Sequence, residues 1–314
     1  MAPPFLKGGY IYIMITQADI TKIYNKLKNT KGGKNADYIP ELANVDPNLY
    51  AISIYTVDGE TINVGDYTHE FAIESCSKVF TLALALEKFG IPYLKKQIGV
   101  KKSHEAFNSI CSVDRIKNHT INSFDNGGAM ATTSLLYKPT ATKSQYIKEL
   151  VDNMSNFAGR QLHVSNKIYK SELLHDEHNL AIAYLLKSYN KFYGDIETCV
   201  DVYTRQCSVM VTSKDVAVMA ATLANNGVNP KTKQRIIKPA NVKYILEHMA
   251  LNGLYNETEK YMSEVGIIAK SGVGGVLLLV VPGVMGIGII SPPLNKFGNS
   301  FKGIKTAKMI STLL

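Results

Sequence analysis

Ile20, Ile23, Tyr24 and Leu27 repeat at the three- and four-residue spacing of a single helix face. Thr16 with Asp19 three positions on has the form of a capping box, and Lys31-Gly32-Gly33 closes the run. The period then changes. LYAISIYTV and ETINVG flank Asp58-Gly59, which predicts two strands joined by a two-residue turn. In FAIESCSKVFTLALALEKFG a short β-branched segment passes into a helix that is apolar on nearly all sides: Val79, Phe80, Leu82, Ala83, Leu84, Ala85 and Leu86. Such a helix belongs at a domain centre. The pattern stays mainly helical to about residue 250. KSQYIKELVDNMSNFAG reads as amphipathic and EHNLAIAYLLKSYNKF as more buried; IETCVDVYTRQ is a third helix, and a fourth runs from Thr212 and Asp215 to Asn226-Gly227. Residues 100–122 are polar and irregular and read as a long surface excursion. VGIIAKSG, VLLLVV and VMGIGII return to strands, with Pro282-Gly283 as the last turn, and KGIKTAKMISTLL predicts a closing helix.

Strands at both ends of the chain with helices between them predict a mixed α/β protein of the α+β type. One antiparallel sheet would be built from the two termini, and the helices would stack on one side as a second lobe. Residues 1–15 read as a leader or variable N-terminus and 16–314 as a single domain, with a sheet lobe (about 16–74 and 251–314) and a helical lobe (about 75–250). The Ser75 helix then lies at the lobe boundary, a usual place for a pocket. The apolar run Tyr10–Ile15 is too short for a signal-peptide core or a membrane span, and VLLLVV stops at Pro282-Gly283. The expectation is a cytoplasmic protein without membrane segments, whose natural start is Met1 or Met14.

At 314 residues, 46% hydrophobic and 19% charged, the chain has the balance of a globular enzyme and not of a disordered segment. A formal charge of +9 raises the question of nucleic acid, but the excess is scattered lysine. Arginine occurs only at 115, 160, 205 and 235, without the forks and interleaved aromatics that phosphate and base readers use. Cys76, Cys111, Cys199 and Cys207 form no CxxC pair, the habit of reduced thiols. The seven histidines are dispersed with no ligand spacing, so neither a metal nor another cofactor is indicated.

Ser75 and Lys78 carry the chemistry. If Ser75 caps or opens the apolar helix, its hydroxyl and the Lys78 amine lie one turn apart on one face, beside unpaired helix N–H groups. A lysine at the mouth of a buried helix is desolvated, which lowers its pKa toward the range of a general base. The plainer alternative, an N-cap serine followed by a solvated lysine, fits this buried setting less well. Lys31-Gly32-Gly33 lacks the strand and the Lys-Ser/Thr of a phosphate loop. A second triplet, Lys270-Ser271-Gly272, precedes Val273-Gly274-Gly275 on a predicted strand about 190 residues after Ser75. A Ser-x-x-Lys helix paired with a Lys-Ser-Gly strand resembles the serine β-lactamase and penicillin-binding protein architecture.

Longer runs narrow the resemblance. NADYIPELA, AISIYTVDG, ESCSK, NGGAMATTSL, YKSE with HN seven residues on, DVYTRQCSVMVTSKDVAVMAATLANNGVNP, GLY, AKSGVGG and SPPLNKFGNSFKG closely resemble the serine-dependent, β-lactamase-like glutaminases over roughly residues 16–314. That resemblance implies hydrolysis of L-glutamine to L-glutamate and ammonia, with Ser75 as nucleophile, Lys78 as general base and Tyr255 as a proton relay. It implies that Tyr38, Asn126, Glu172, Asn179, Tyr203, Tyr255 and Val273 contact glutamine, with Glu172 opposite the α-amine. The N–H groups of Ser75 and Val273 would hold the oxyanion, and the protein would form a homo-oligomer, a dimer or a tetramer. The sequence departs from the family pattern at Ser123, Phe124 and Asp125, at Asn126-Gly127-Gly128, and in LLHDEH before Asn179. A carboxylate at Asp125 is expected to weaken binding of the substrate carboxylate by repulsion, and Gly127 to loosen the backbone. The alternatives are a β-lactamase-like or penicillin-binding-like hydrolase and a catalytically weak, self-assembling homologue. A complete set of Ser75, Lys78, Glu172 and Tyr255 favours the glutaminase.

Overall fold

The computed structural model describes residues 6–7, 10–11, 15–102, 105–116 and 119–314. Of the expected leader 1–15, it places only a short pairing of β1 (Leu6–Lys7) with β2 (Tyr10–Ile11) and Ile15; Met14 lies outside the described residues. The central sheet contains β3 (Ala51–Thr56), β4 (Thr61–Gly65), β8 (Ile268–Gly272), β9 (Val276–Val281) and β10 (Met285–Ile290). Its order is β4-β3-β10-β9-β8, and every neighbour is antiparallel. The two chain ends thus share one sheet, as the strand pattern predicts. The β3–β4 turn has three residues, not two. Gly59 N–H donates to Thr56 O, and Thr56 N–H donates to Glu60 O, with Gly59 at φ 101°. Val57 joins Asp58-Gly59 in a tight turn closed by a left-handed glycine, the common three-residue hairpin.

Alternation on β10 explains how helices cover both faces. Ile287 and Ile289, registered opposite Ile54 and Ile52, join Leu277 and Leu279 against the helices Gln17–Leu27 and Phe301–Ser311. Gly286 and Gly288 face the other way. A Cβ on either would lie 2.1–2.3 Å from backbone atoms of the helix Ser213–Ala224, so their bareness lets that helix rest directly on the sheet. Beyond it, the helices Ser77–Gln97, Asn126–Leu135, Lys143–Ala158, Glu177–Ser188, Ile196–Cys207 and Pro239–Asn252 enclose a core that includes Phe80, Leu82, Leu86, Phe124, Met130 and Phe157. The burial order of two helices is reversed from expectation. Lys143–Ala158 buries Tyr146, Leu150, Val151, Met154 and Phe157, whereas Glu177–Ser188 buries only Ile182, Ala183 and Leu186 and exposes Tyr184. The second helix is apolar because it is short of charge, yet only one stripe finds the core.

A second sheet, unanticipated in the helical stretch, orders β5 (Phe71–Ala72), β7 (Val209–Val211) and β6 (His163–Val164) as β5-β7-β6. Ile73 N–H donates to Val209 O at 2.8 Å, so this sheet anchors the chain just before Ser75. Residues 100–122 are not purely a surface excursion. Ile121 and Asn122 are buried, and Phe107 lies over the Ser75 region. Among the described residues no helix is long and apolar enough to cross a membrane.

Candidate active site

Ser75 sits in a single 3-10 turn, Glu74–Cys76, that feeds directly into the helix Ser77–Gln97. It does not cap that helix: neither the turn nor the helix has a side-chain cap, so its hydroxyl is not committed to the backbone there. The turn is wedged against the edge strand β8. A Cβ on Gly272 would lie 2.7 Å from Ile73 O and 3.4 Å from the Ser75 amide nitrogen. A Cβ on Gly274 would lie 2.7 Å from Ala72 O. The glycines after Lys270 therefore permit the close approach that brings the start of the Val273 segment beside the Ser75 N–H.

Two lysines enter this region from opposite elements. Lys78, one turn into the helix, is 1% exposed; its Nζ donates to Phe124 O at 2.9 Å and to Asn126 Oδ1 at 2.7 Å. Lys270 on β8, registered opposite Leu278, is 0% exposed; its Nζ donates to Tyr255 Oη at 3.0 Å and to Ser271 O at 2.8 Å. Burial drives both amines toward neutrality, Lys78 down to about 8 and Lys270 down to about 7, and the two lysines' mutual repulsion adds to the effect on Lys270. The Tyr255 phenol, forced up by burial, faces the Ser75 hydroxyl. Tyr255 thus lies between Ser75 and Lys270, and its ring lies 4.1 Å from Lys270 Nζ. Tyr255 and Glu74 also hold left-handed backbones, φ 55° and 49°, uncommon for side chains of that size.

Asn126 is the next node. Its Oδ1 accepts from Lys78 and, at 3.2 Å, from the Tyr203 phenol; its Nδ2 donates to Asn179 Oδ1 at 3.1 Å. Its backbone N–H is held by Phe107 O at 2.7 Å, and the Phe107 ring stacks obliquely on Tyr255 at 5.0 Å. Glu172, at the end of the helix Asn166–Leu173, accepts from Ser208 Oγ at 3.0 Å and lies beside Glu74 and Cys207. Desolvation raises the Glu172 carboxyl to about 8 and raises Glu74 well above its ordinary value, with Glu172 beside it adding to the effect on Glu74. Tyr38 is half-exposed as a residue, but its phenol is turned inward toward Glu74 and Glu172, and burial pushes it up. A hollow of about 540 Å³ lined by Gly33–Tyr38 and Leu294–Gly298 opens beside it. A larger groove of about 650 Å³ runs along Lys138–Asn156, where Lys138, Lys148, Glu149 and Asp152 are paired with one another.

The glutaminase family model matches residues 33–314. The chain belongs to the glutaminase family. It is 43% identical over 314 residues to the glutaminase of Mycobacterium ulcerans (strain Agy99), covering 100% of this chain and 96% of that one. It is 41% identical over 298 residues to glutaminase 1 of Shigella flexneri, with 95% and 96% covered. Among solved structures, the probable glutaminase ybaS superposes with a TM-score of 0.92 at 41% identity over 95% of this chain and 96% of that one. Mglu in its glutamate form superposes at 0.89 with 36% identity, covering 95% and 69%. Glutaminases are amidohydrolases, and the architecture is the β-lactamase-like one expected from the paired Ser-x-x-Lys and Lys-Ser-Gly elements.

Placed on this glutaminase-family fold, Lys78, Asn126, Asn179 and Tyr203 form one hydrogen-bonded group, Ser75 faces Tyr255, whose ring lies 5.6 Å from Lys78 Nζ, and Glu172 and Tyr38 lie beside them. Val273 is buried in a small apolar group with Ala36, Ile39, Leu42, Ala72 and Leu294. The departures at 123–128 are built into the buried wall of the site. Asp125 is buried, accepts from Asn122 Nδ2 at 3.4 Å, and its charge supports protonation of both Lys78 and Lys270, so it balances the amines. Inside a regular helix, a Cβ on Gly127 would lie 3.2–3.5 Å from the Val113 and Ile182 side chains, and one on Gly128 would meet Asn122 O at 1.8 Å. These glycines tighten the packing.

Sequence reasoning missed Lys270 and Glu74 as members of the cluster. Lys270 was legible as part of its triplet and Tyr255 as a relay, but not the contact between them. Glu74 gave no signal beyond adjacency to Ser75.

Proposed function

We propose that this protein hydrolyses L-glutamine to L-glutamate and ammonia through an acyl-enzyme on Ser75. One observation carries the reading: a nearly buried hydroxyl facing the Tyr255 phenol, with two buried amines of lowered pKa in the same region, in a chain similar along its length to glutaminases. A neutral lysine has two N–H bonds and one lone pair. Lys78 makes two donor contacts, to Phe124 O and Asn126 Oδ1, which matches a neutral amine whose lone pair is left to take the Ser75 proton. Ser75 Oγ then attacks the amide carbon, and the Ser75 and Val273 N–H groups receive the oxyanion, each such donor being worth about 3 kcal/mol. Tyr255, held by Lys270, relays the proton that Lys78 took up on to the amide nitrogen, so ammonia leaves and Lys78 is neutral again. Water then gives a proton back along the same route as its oxygen attacks the ester, and that proton returns to Ser75 Oγ as glutamate leaves.

Glutamine is a zwitterion with an amide at its far end. Glu172 opposes its ammonium, and Asn126, Asn179 and Tyr203 donate to its carboxylate; a substrate lacking either charge leaves buried polar groups unpaired and is rejected. Tyr38 closes the entrance. In this reading residues 16–314 act as a single catalytic domain, with the sheet and helical lobes meeting at Ser75, and the protein works as a cytoplasmic homo-oligomer. The four free cysteines, three of them buried, are compatible with a reducing compartment. Incubation of purified protein with L-glutamine tests the reading: equal release of glutamate and ammonia is expected. No release by folded protein, or acylation by a β-lactam in its place, would contradict it.

A further inference from the structure

Glu74 takes no part in the hydrolytic steps above, yet the fold makes room for it. Its backbone is left-handed and its side chain 3% exposed. Gly272 and Gly274 clear its path: a Cβ on each would come within 3.2 Å of Glu74 Cβ and 3.3 Å of Glu74 Cγ. The side chain reaches Glu172 and Cys207, with the three ligand atoms all within 4.8 Å of one another. Glu74 Oε1 is buried there without a hydrogen-bond partner. A strained, enclosed carboxyl with an unused acceptor is an arrangement that awaits a donor.

The surroundings do not supply one. Lys78 faces the pair from the following helix, but its amine is engaged by Phe124 and Asn126. Tyr203 and Cys207 face it from the helix Ile196–Cys207 and Tyr38 from the entrance; burial holds all three protonated. Ser208 Oγ reaches Glu172 Oε1 and Thr204 O, not Glu74. Among the described residues no lysine or arginine makes an ion pair with either carboxyl. Two buried carboxyls in contact cannot both ionise, so the pair retains a proton between them. Its titration belongs to the pair and not to one residue.

We propose that Glu74 and Glu172 form a proton-sharing clamp for a primary ammonium, in which the substrate's cationic nitrogen replaces the shared proton and one proton leaves to solvent on binding. The ammonium then donates to both carboxylates, including the idle Glu74 Oε1, and charge is conserved. The inference rests on the reading that Glu172 faces the α-amine of glutamine, and it assigns Glu74 to specificity. Affinity for glutamine therefore rises with pH across the titration of the pair.

Calorimetry of L-glutamine binding to the Ser75→Ala protein, between pH 6 and 8 in buffers of different ionisation enthalpy, tests this without turnover. The clamp predicts release of about one proton per glutamine and a Kd that falls up to about tenfold per pH unit. In the Ser75→Ala/Glu74→Gln protein, binding should persist while proton release and the pH slope largely vanish. Binding without proton release when Glu74 is present overturns the clamp alone, as does undiminished release after Glu74→Gln. Absence of glutamine binding by folded protein at every pH overturns the glutaminase reading, and the clamp with it.

Discussion

At one end of the Ser75 cluster lie Lys78 and Lys270; at the other lie Glu74 and Glu172. Lys78, Lys270 and Glu74 are buried and Glu172 is part-buried, each like-charged pair is close together, and neither pair is joined to the other by a direct ion pair among the described residues. Burial therefore acts on them in opposite directions, pulling the amines down and the carboxyls up. The pair Arg160–Asp215 shows what the fold does where charge is meant to stay. Burial of Asp215 also pushes its carboxyl up, but two hydrogen bonds of 2.7 Å from the guanidinium, with help from Thr212, hold it below the usual range. Around Ser75 no such guanidinium partner is present among the described residues. In the proposed reading the amine end serves as acceptor and relay, and the carboxyl end receives a cation.

Removing the hydroxyl between the two ends should break the comparison most severely. Ser75→Ala is expected to lower kcat by about 10⁴–10⁶-fold while the unfolding temperature stays unchanged; near-normal ammonia release would show that the nucleophile lies elsewhere. Fixing a charge at the amine end comes next. Lys270→Arg cannot be neutral and is expected to lower kcat/KM about 10²–10³-fold. In the unaltered protein kcat/KM should rise from pH 6 to 9, because both lysines must lose a proton, through titrations at about 7 and about 8. The arginine variant should lose the lower limb, and an unchanged profile would remove Lys270 from the relay.

The carboxyl end predicts a smaller effect on stability with a definite sign. Both carboxyls have raised folded pKa values, so their stabilisation is fully present below about pH 4.5 and is lost as pH rises through the folded values, about 8 for Glu172. Glu74→Gln should therefore raise the Tm by about 2–4 °C at pH 8 and leave it nearly unchanged at pH 5. A Tm gain equal at both pH values would argue against a shared proton. The smallest effect lies on the far face of the sheet. Thr16→Ala removes a capping box made by Thr16 and Asp19 and should cost about 1 kcal/mol in urea unfolding without changing kcat/KM.

What the sequence makes legible follows from how local each signal is. The Thr16 and Thr212 capping boxes, the buried helix after Ser75 and the alternating strands near both ends are written in neighbouring residues, and they appear where the pattern places them. The Val57–Gly59 turn was one residue longer because Asp58-Gly59 serves equally in either hairpin. The β5-β7-β6 sheet was invisible because strands of two or three residues carry no period. Within the site, Ser75 and Lys78 are near in sequence, whereas the contact of Lys270 with Tyr255 and of Glu74 with Glu172 joins distant segments through glycines whose purpose appears only when the chains meet. The polarity of residues 100–122 concealed their cover over Tyr255 for the same reason.

The account turns most directly on where the acyl group resides. Rapid acid quench of the protein turning over L-glutamine, followed by peptide mass spectrometry, is predicted to find a glutamyl ester on Ser75 and none in the Ser75→Ala protein. An ester on any other side chain would contradict it.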